Sequence, residues 1–533
     1  MEETQVDVLV VGAGPVGLTV GSELLRHGAG CRVIDRLLDP PQYAKAVGIQ
    51  PRTLEVWEDM GLVREALDAA IQMRGQIVFV NGEEVAKMEL SLPADVPYTF
   101  MALPQYETER ILNQHLERLG GRVERGVALE GVAQDDEGVT AVLAGPQGEE
   151  RLRARFLVGC DGAHSVVRRE LGLEFEGGRF AEEYMLGDVE VSWSFPAGFA
   201  IRATHVSDGS TDDVLVCIPL PGSGRYRIST LVPPELAGTE TEHGFATDRP
   251  APTLRHLQAA LDRIAPEQTV ARNLRWSSVF RISHRLVDRY SIGRVFVCGD
   301  AAHIHPPTGA QGMNTGIQDG YNLAWKLALA LHGAAAPGLL DSYHAERHPV
   351  GEEVVGRTVQ HARTGFEADP DEPAMVMMRE AQLLLGYPDS PLVAEIGSFD
   401  GGPGAGARAP DATGLERTGA PFPLRLFELL RGTDHVLLLY ADSADALPHL
   451  QEVADVAVGR APHRLRAYAV LAPQLETGWL GIGSVRDAQN TFRAAYGASG
   501  PCAYLVRPDG YVGYRQLRPD ADGVVGALQK ILV

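Results

Sequence analysis

The sequence predicts an α/β fold: helices on a parallel sheet, an inserted antiparallel sheet, and a smaller α/β unit towards the C-terminus. Three observations carry this. VDVLVV at residues 6–11 is an apolar, β-branched run of the kind a fully buried parallel strand requires. A glycine-rich turn and an apolar-periodic helix to about His27 follow it. A second strand from Cys31 ends at Asp35, which completes a βαβ unit. Between about residues 175 and 285 the texture changes to short alternating strands, as in VLVCIPLPGSGRYRISTLV, with a hairpin turn at Gly-Ser-Gly.

The other elements follow in order. A helix is expected from Glu107 to Leu119, then strands over residues 123–132 and 138–143. FLVGCDGAHSVVRRELG at 156–172 is another apolar strand entering a helix. The α/β texture returns at Val295 and runs to about Glu395. SFDGGPGAGARAPDATG at 398–414 has the composition of a flexible connector. Beyond it HVLLLY, RAYAVL and AYLVRPDGYVGYR alternate with helices. The predicted units are 1–175 with 285–395, an insertion at 176–284, a linker at 396–415, and 416–533.

Composition narrows the function. Asp plus Glu number 70 against 48 Lys plus Arg, a formal charge of −22, which disfavours nucleic acid and anionic membrane as partners. Five cysteines are scattered singly with no CxxC, so neither a disulfide framework nor a zinc site is expected, and a reducing cytoplasm fits. MEETQVD has no basic region before a long apolar run, so no secretory signal is expected. The longest apolar helix, near residues 323–336, is interrupted by Lys326 and His332 and is too short to span a bilayer.

GAGPVG (Gly12, Gly14, Pro15, Val16, Gly17) sits between a strand and a helix, as the dinucleotide fingerprint requires. Its glycines permit a tight turn and close approach of a pyrophosphate, and the helix N-terminus offers free N–H groups. Asp35, with Arg36 beside it, stands at the end of the second strand, placed to accept from a ribose hydroxyl. The fingerprint alone does not separate FAD from NAD. Two later strand ends carry further charge: Cys160-Asp161-Gly162 and Gly299-Asp300. Asp161 also suits a helix N-cap. An unpaired carboxylate at a buried strand end is costly, so Asp300 points to a ligand. His303 and His305 lack a third ligand at a sensible spacing, so no metal is expected.

With these three motifs in this order, the chain resembles the single-component flavin-dependent aromatic hydroxylases, the group A monooxygenases. The resemblance covers about residues 5–395 and continues weakly to the C-terminus. It implies a Rossmann-like FAD-binding domain (1–175, 285–395), an antiparallel β-sheet substrate domain (176–284), and a thioredoxin-like C-terminal domain. The mark of the last is RPDGYVGYR at 507–515; with Cys502 alone it is expected to be structural or to serve assembly. The resemblance implies that Asp300 binds the FAD ribityl chain and that Asp161 lies near both FAD and the pyridine nucleotide. Pro307, Gly309, Gly312, Met313 and Asn314 would then pass the flavin ring, and Gln105 would contact FAD. Lys45 stands where the family usually has arginine, which keeps charge but loses the bidentate fork. Tyr343, Glu346 and Arg347 look structural.

The implied reaction is hydroxylation of a phenolic, polyketide-type ring through a C4a-hydroperoxyflavin, using NADPH or NADH as a transient reductant and O2 as cosubstrate. Baeyer–Villiger insertion or epoxidation shares every motif. A dehydrogenase would leave Asp161 and Asp300 unexplained, and a non-catalytic flavin-binding partner protein would lack a reaction pocket. Trp193, Tyr226 and Phe280, with Phe195, Phe199 and Trp276, are candidates to line the substrate space, with sheet core as the competing reading. No residue stands out as a catalytic base, and a homodimer is compatible with the sequence.

Overall fold

A computed structural model describes residues 4–41, 45–238, 244–245, 250–364, 371–476 and 481–533, and its strands form three main sheets. In the eight-stranded sheet, Thr4–Val11 lies between Gly148–Gly159 and Cys31–Asp35, parallel to both. Val295–Val297 and Val123–Arg125 extend the parallel set outward. Val8, Leu9 and Val10 are completely buried, which is why this strand reads as an unbroken apolar run. The Pro15–Arg26 helix packs against the Gly312–Leu331 helix through glycines. A Cβ on Gly316 would come within 2.7 Å of Val16, and one on Gly320 within 2.7 Å of Val20.

The second, nine-stranded sheet runs mostly antiparallel through Arg272–Val287, Phe175–Glu190, Arg225–Leu231, Ser210–Pro219 and Phe199–Ser207. It extends beyond the expected 176–284 span. The hairpin Gly75–Val80 and Glu83–Glu89 joins it, with Gly75–Val80 parallel to Phe199–Ser207. Such a pairing between distant segments leaves no local trace in the sequence. The Leu254–Ile264 helix covers one face, pressing Leu257 onto Gly187, where a side chain would overlap it.

The third, seven-stranded sheet is centred on His435–Ala441, and it too recruits more chain than expected. Ala394–Ile396 pairs with Val512–Leu517, Leu415–Glu416 pairs with Gly483–Asp487, and Ala409 and Ala412 are buried. The glycines read as a flexible linker include turns packed on this domain: a Cβ on Gly402 would overlap the Tyr496 carbonyl. Burial pushes the lone Cys502 thiol up to about 12, which leaves it a poor nucleophile. No helix among the described residues is long and apolar enough to cross a membrane.

Candidate cofactor and active site

Register brings the three charged motifs together. Val11 pairs with Gly159, and Gly159 pairs with Val297, so Gly12, Cys160 and Cys298 end adjacent parallel strands. Ligands of open α/β sheets bind at such carboxyl ends. Gly12 has φ 99°, and a Cβ there would overlap the Cys160 carbonyl, so only glycine fits. A Cβ on Gly14 would meet nothing within 4 Å, and no side chain caps the helix it precedes. Open space before uncapped helical N–H groups suits a pyrophosphate.

Asp300 is half-buried, and no described residue hydrogen-bonds its carboxylate. Beyond it the loop turns at Gly309 (φ 71°), where a Cβ would overlap the Glu380 carboxylate. Pro307 at the loop's start is exposed. The helix then starts at Gly312, again with no side-chain cap, so the backbone N–H groups of Gly312, Met313 and Asn314 lead into the site. The Asn314 side chain is committed elsewhere. It accepts from the Gln50 N–H at 2.9 Å and donates to the Gly48 carbonyl at 2.9 Å and the Ala310 carbonyl at 2.7 Å. Gln50 Nε2 completes the clip by donating to the Gly309 carbonyl at 2.6 Å.

The surroundings of Asp35 are denser. Asp35 accepts from the N–H groups of Ala13 and Leu37, both at 2.8 Å, and lies 3.6 Å from Arg125. It thus braces the fingerprint turn itself. Arg36 and Lys45 are exposed; Ala44, at the start of the Lys45 segment, lies outside the described residues. Gln105 accepts from the Ala46 N–H at 3.1 Å and donates to Glu109 at 2.8 Å. Burial lifts the Glu109 carboxyl to about 7, against the pull of Gln105 and Arg125. In the sequence Glu109 looks like one more acid on an ordinary helix, and only its burial marks it out. The N-cap position falls to Ser165, whose Oγ accepts from the Arg168 N–H at 2.9 Å; Asp161, four residues earlier, accepts from Ser165 Oγ at 2.5 Å and from the Val166 and Val167 N–H groups at 2.7 and 3.2 Å. Burial raises its pKa.

A buried ionic layer supports the loop. Asp319 accepts from the Gly299 N–H at 3.0 Å, from His303 Nε2 at 2.8 Å and from Arg347 Nε at 2.7 Å. Burial alone would raise its pKa, yet Arg347, His303 and the amide together hold it below the usual range. Tyr343 donates to the Val297 carbonyl at 2.9 Å, in keeping with a structural role. Desolvation lowers His305 to about 4, so this ring is neutral at ordinary pH.

The substrate-side residues divide between two sheet faces. Trp193 and Tyr226, in a T-shaped contact at 4.9 Å, pack into the core under the Leu254–Ile264 helix with Phe195 and Phe199. This corrects their expected place along the substrate space: period-two alternation separates two faces but does not say which one a helix covers. Phe280 lies on the opposite face. It pairs with Tyr184 at 5.6 Å, near Trp276 and a buried Asp188–Arg227 ion pair. Ile218 of that face packs on Val47 and Ala102, which turns it towards the cofactor-binding part.

A family model described as FAD binding domain matches residues 5–358, and one described as aromatic-ring hydroxylase, C-terminal, matches 402–532. A flavin-dependent monooxygenase of Mycobacteroides abscessus is 34% identical over 95% of this chain and 96% of its own length. The 6-methylpretetramide 4-monooxygenase of Streptomyces rimosus is 31% identical over 98% of this chain and 93% of its own. A crystal structure of aklavinone-11 hydroxylase in complex with FAD and aklavinone matches with a TM-score of 0.78 at 27% identity, covering 99% of both chains. With both halves matched in order, the chain belongs to the FAD-dependent aromatic-ring monooxygenases, and FAD is its cofactor.

Proposed function

We propose that the protein hydroxylates a multi-ring phenolic substrate, with NADPH as reductant and O2 as cosubstrate. One observation carries the reading. The loop leaving Asp300 forms the strand His303–Ile304, which hydrogen-bonds to the Arg272–Val287 strand that bears Phe280. The cofactor loop and the aromatic sheet face are therefore stitched into one wall. The relatives acting on 6-methylpretetramide and aklavinone support a polyketide-type ring system.

Bound FAD supplies the hydride acceptor and the oxygen-activating centre. The chain's residues do the rest. The loop at Gly12, Gly14 and Gly17 would receive the pyrophosphate, and Asp300 would accept from the ribityl chain. The N-terminus of the Gly312–Leu331 helix would stabilise negative charge on the flavin edge. Tyr184, Trp276 and Phe280 would orient the substrate and exclude water. A cavity of about 440 Å³ beside the Asp161 turn is lined by Arg168, Arg169, Arg179 and Arg285. Four guanidinium groups suit a phosphate-rich reductant, which favours NADPH over NADH. All five cysteines are unpaired, in keeping with a cytoplasmic enzyme.

A screen of phenols and polycyclic quinones for stimulated NADPH oxidation tests this. Multi-ring phenols should accelerate it above the substrate-free rate, and NADPH should outperform NADH in kcat/KM. Stimulation by single-ring phenols alone would refute the substrate size. Failure with every aromatic compound would refute the hydroxylase reading.

A further inference from the structure

The tip of a β-hairpin usually faces solvent, but the tip at residues 507–510 of the C-terminal domain is buried: Arg507 is 2% exposed and Asp509 1%. It is inserted between two helices of the FAD-binding part. Asp509 Oδ2 accepts from Asn322 Nδ2 at 3.0 Å and from Trp325 Nε1 at 3.2 Å, and the Pro508 carbonyl accepts from Tyr321 at 3.1 Å. All three donors lie on the Gly312–Leu331 helix. The Asp509 carbonyl accepts from Arg52 Nη2 at 2.8 Å, on the Pro51–Met60 helix. Arg507 pairs with Glu346 at 2.6 and 2.9 Å, and Glu346 also accepts from Lys326 at 2.7 Å. Two cations and two carboxylates thus form a closed, neutral, buried set, the condition under which such charges are tolerated.

The two helices held by this tip begin at the Gln50–Asn314 clip. Gln50 is the N-cap of one, and Asn314 lies in the first turn of the other. Tyr321 is two helical turns beyond Asn314, about 10 Å along the axis, and Arg52 is two residues from Gln50. We infer that the 507–510 turn is a positioning element of the flavin site: it sets the spacing of these two helices and thereby holds the Gln50–Asn314 clip that shapes the flavin loop. The C-terminal domain is then an integral wedge of the oxygenase. This rests on the proposed place of the flavin edge at residues 307–314.

The test uses the full-length, FAD-loaded protein. Arg52→Lys and Trp325→Phe each remove a contact with the turn while keeping bulk. Val453→Ala weakens the core of the C-terminal domain on the Leu447–Arg460 helix, from which no described residue hydrogen-bonds to residues 507–510. The readouts are the visible flavin band, the rate of FAD release, and the ratio of product to NADPH consumed. The two turn variants should shift the band, release FAD about threefold faster or more, and lose coupling to peroxide. Val453→Ala should lower Tm without these changes. Wild-type flavin signals in both turn variants, or equal changes in Val453→Ala, would overturn the inference. Asn314→Ala separates the premise: unchanged flavin signals there would overturn the flavin-loop reading and the inference with it. A changed Asn314→Ala with silent turn variants would overturn the inference alone.

Discussion

Asn314 and Gln50, 264 residues apart in sequence, join the start of the Gly312–Leu331 helix to the start of the Pro51–Met60 helix with a 2.9 Å hydrogen bond. Asn314 is fully buried and makes two further bonds from its amide nitrogen. Replacing it with alanine strands the Gln50 N–H and the Gly48 carbonyl, each worth about 1–3 kcal/mol when left unsatisfied. Asn314→Ala should lower Tm and FAD content together, as read by calorimetry and flavin absorbance.

Gly14 allows the cofactor contact to be separated from the fold. Its φ of −74° suits alanine, and a Cβ there meets no protein atom. Gly14→Ala should leave the Tm of FAD-free protein unchanged and weaken FAD binding about tenfold or more, or 1.4 kcal/mol per decade. Fluorescence titration of the apoprotein with FAD measures it.

Asp300→Ala makes the matching case from the other strand end. Among the described residues, no donor is lost with its carboxylate. A charged hydrogen bond to the ribityl chain is worth about 1.5–3 kcal/mol, so FAD should be retained at least about tenfold less tightly. Retention of FAD as tight as in the wild type would remove Asp300 from the site.

Glu23 sets a pH dependence. Burial raises its carboxyl from 4.5 to about 7, and neither oxygen has a hydrogen-bond partner. An acid with a raised folded-state pKa stabilises the fold while protonated. Its contribution is present below 4.5 and is lost as pH climbs through about 7. The Glu23 contribution to stability should therefore fall across this window, against the opposite slope of His27, His115, His305 and His435, whose pKa values burial lowers. Relative to wild type, Glu23→Gln should remove a fall in unfolding free energy of up to about 3 kcal/mol, while Glu109 keeps its own.

The two sheet faces should respond differently to truncation. Phe280→Ala should raise substrate KM and peroxide release with a modest loss of stability. Tyr226→Ala, in the helix-covered core, should lower the unfolding free energy by about 3–5 kcal/mol, as large core truncations do. Flavin reduction by NADPH in the folded Tyr226→Ala fraction should be normal.

Much of the cofactor half was legible because each motif is local. Gly12 to Gly17, Cys160 to Gly162 and Gly299 to Asp300 each follow an apolar strand and precede a turn or helix, so strand ends can be recognised from short windows. The use of Asn314 was less so: a buried clip employs the same residue type as a ligand contact. Pairings across long stretches were not legible at all. The 75–89 hairpin, the Asp319–Arg347 pair and the buried 507–510 turn depend on partners tens to hundreds of residues away. The face chosen by Trp193 and Tyr226 was decided by a helix that begins at Leu254.

Aromatic hydroxylation is tested most directly by mass spectrometry of the product formed from a multi-ring phenol under 18O2, with NADPH consumption followed in parallel. A hydroxylated product carrying a single 18O atom is expected, formed in step with NADPH oxidation and absent without FAD. NADPH oxidation yielding only peroxide for every substrate tried, or a product whose added oxygen comes from water, would contradict aromatic hydroxylation.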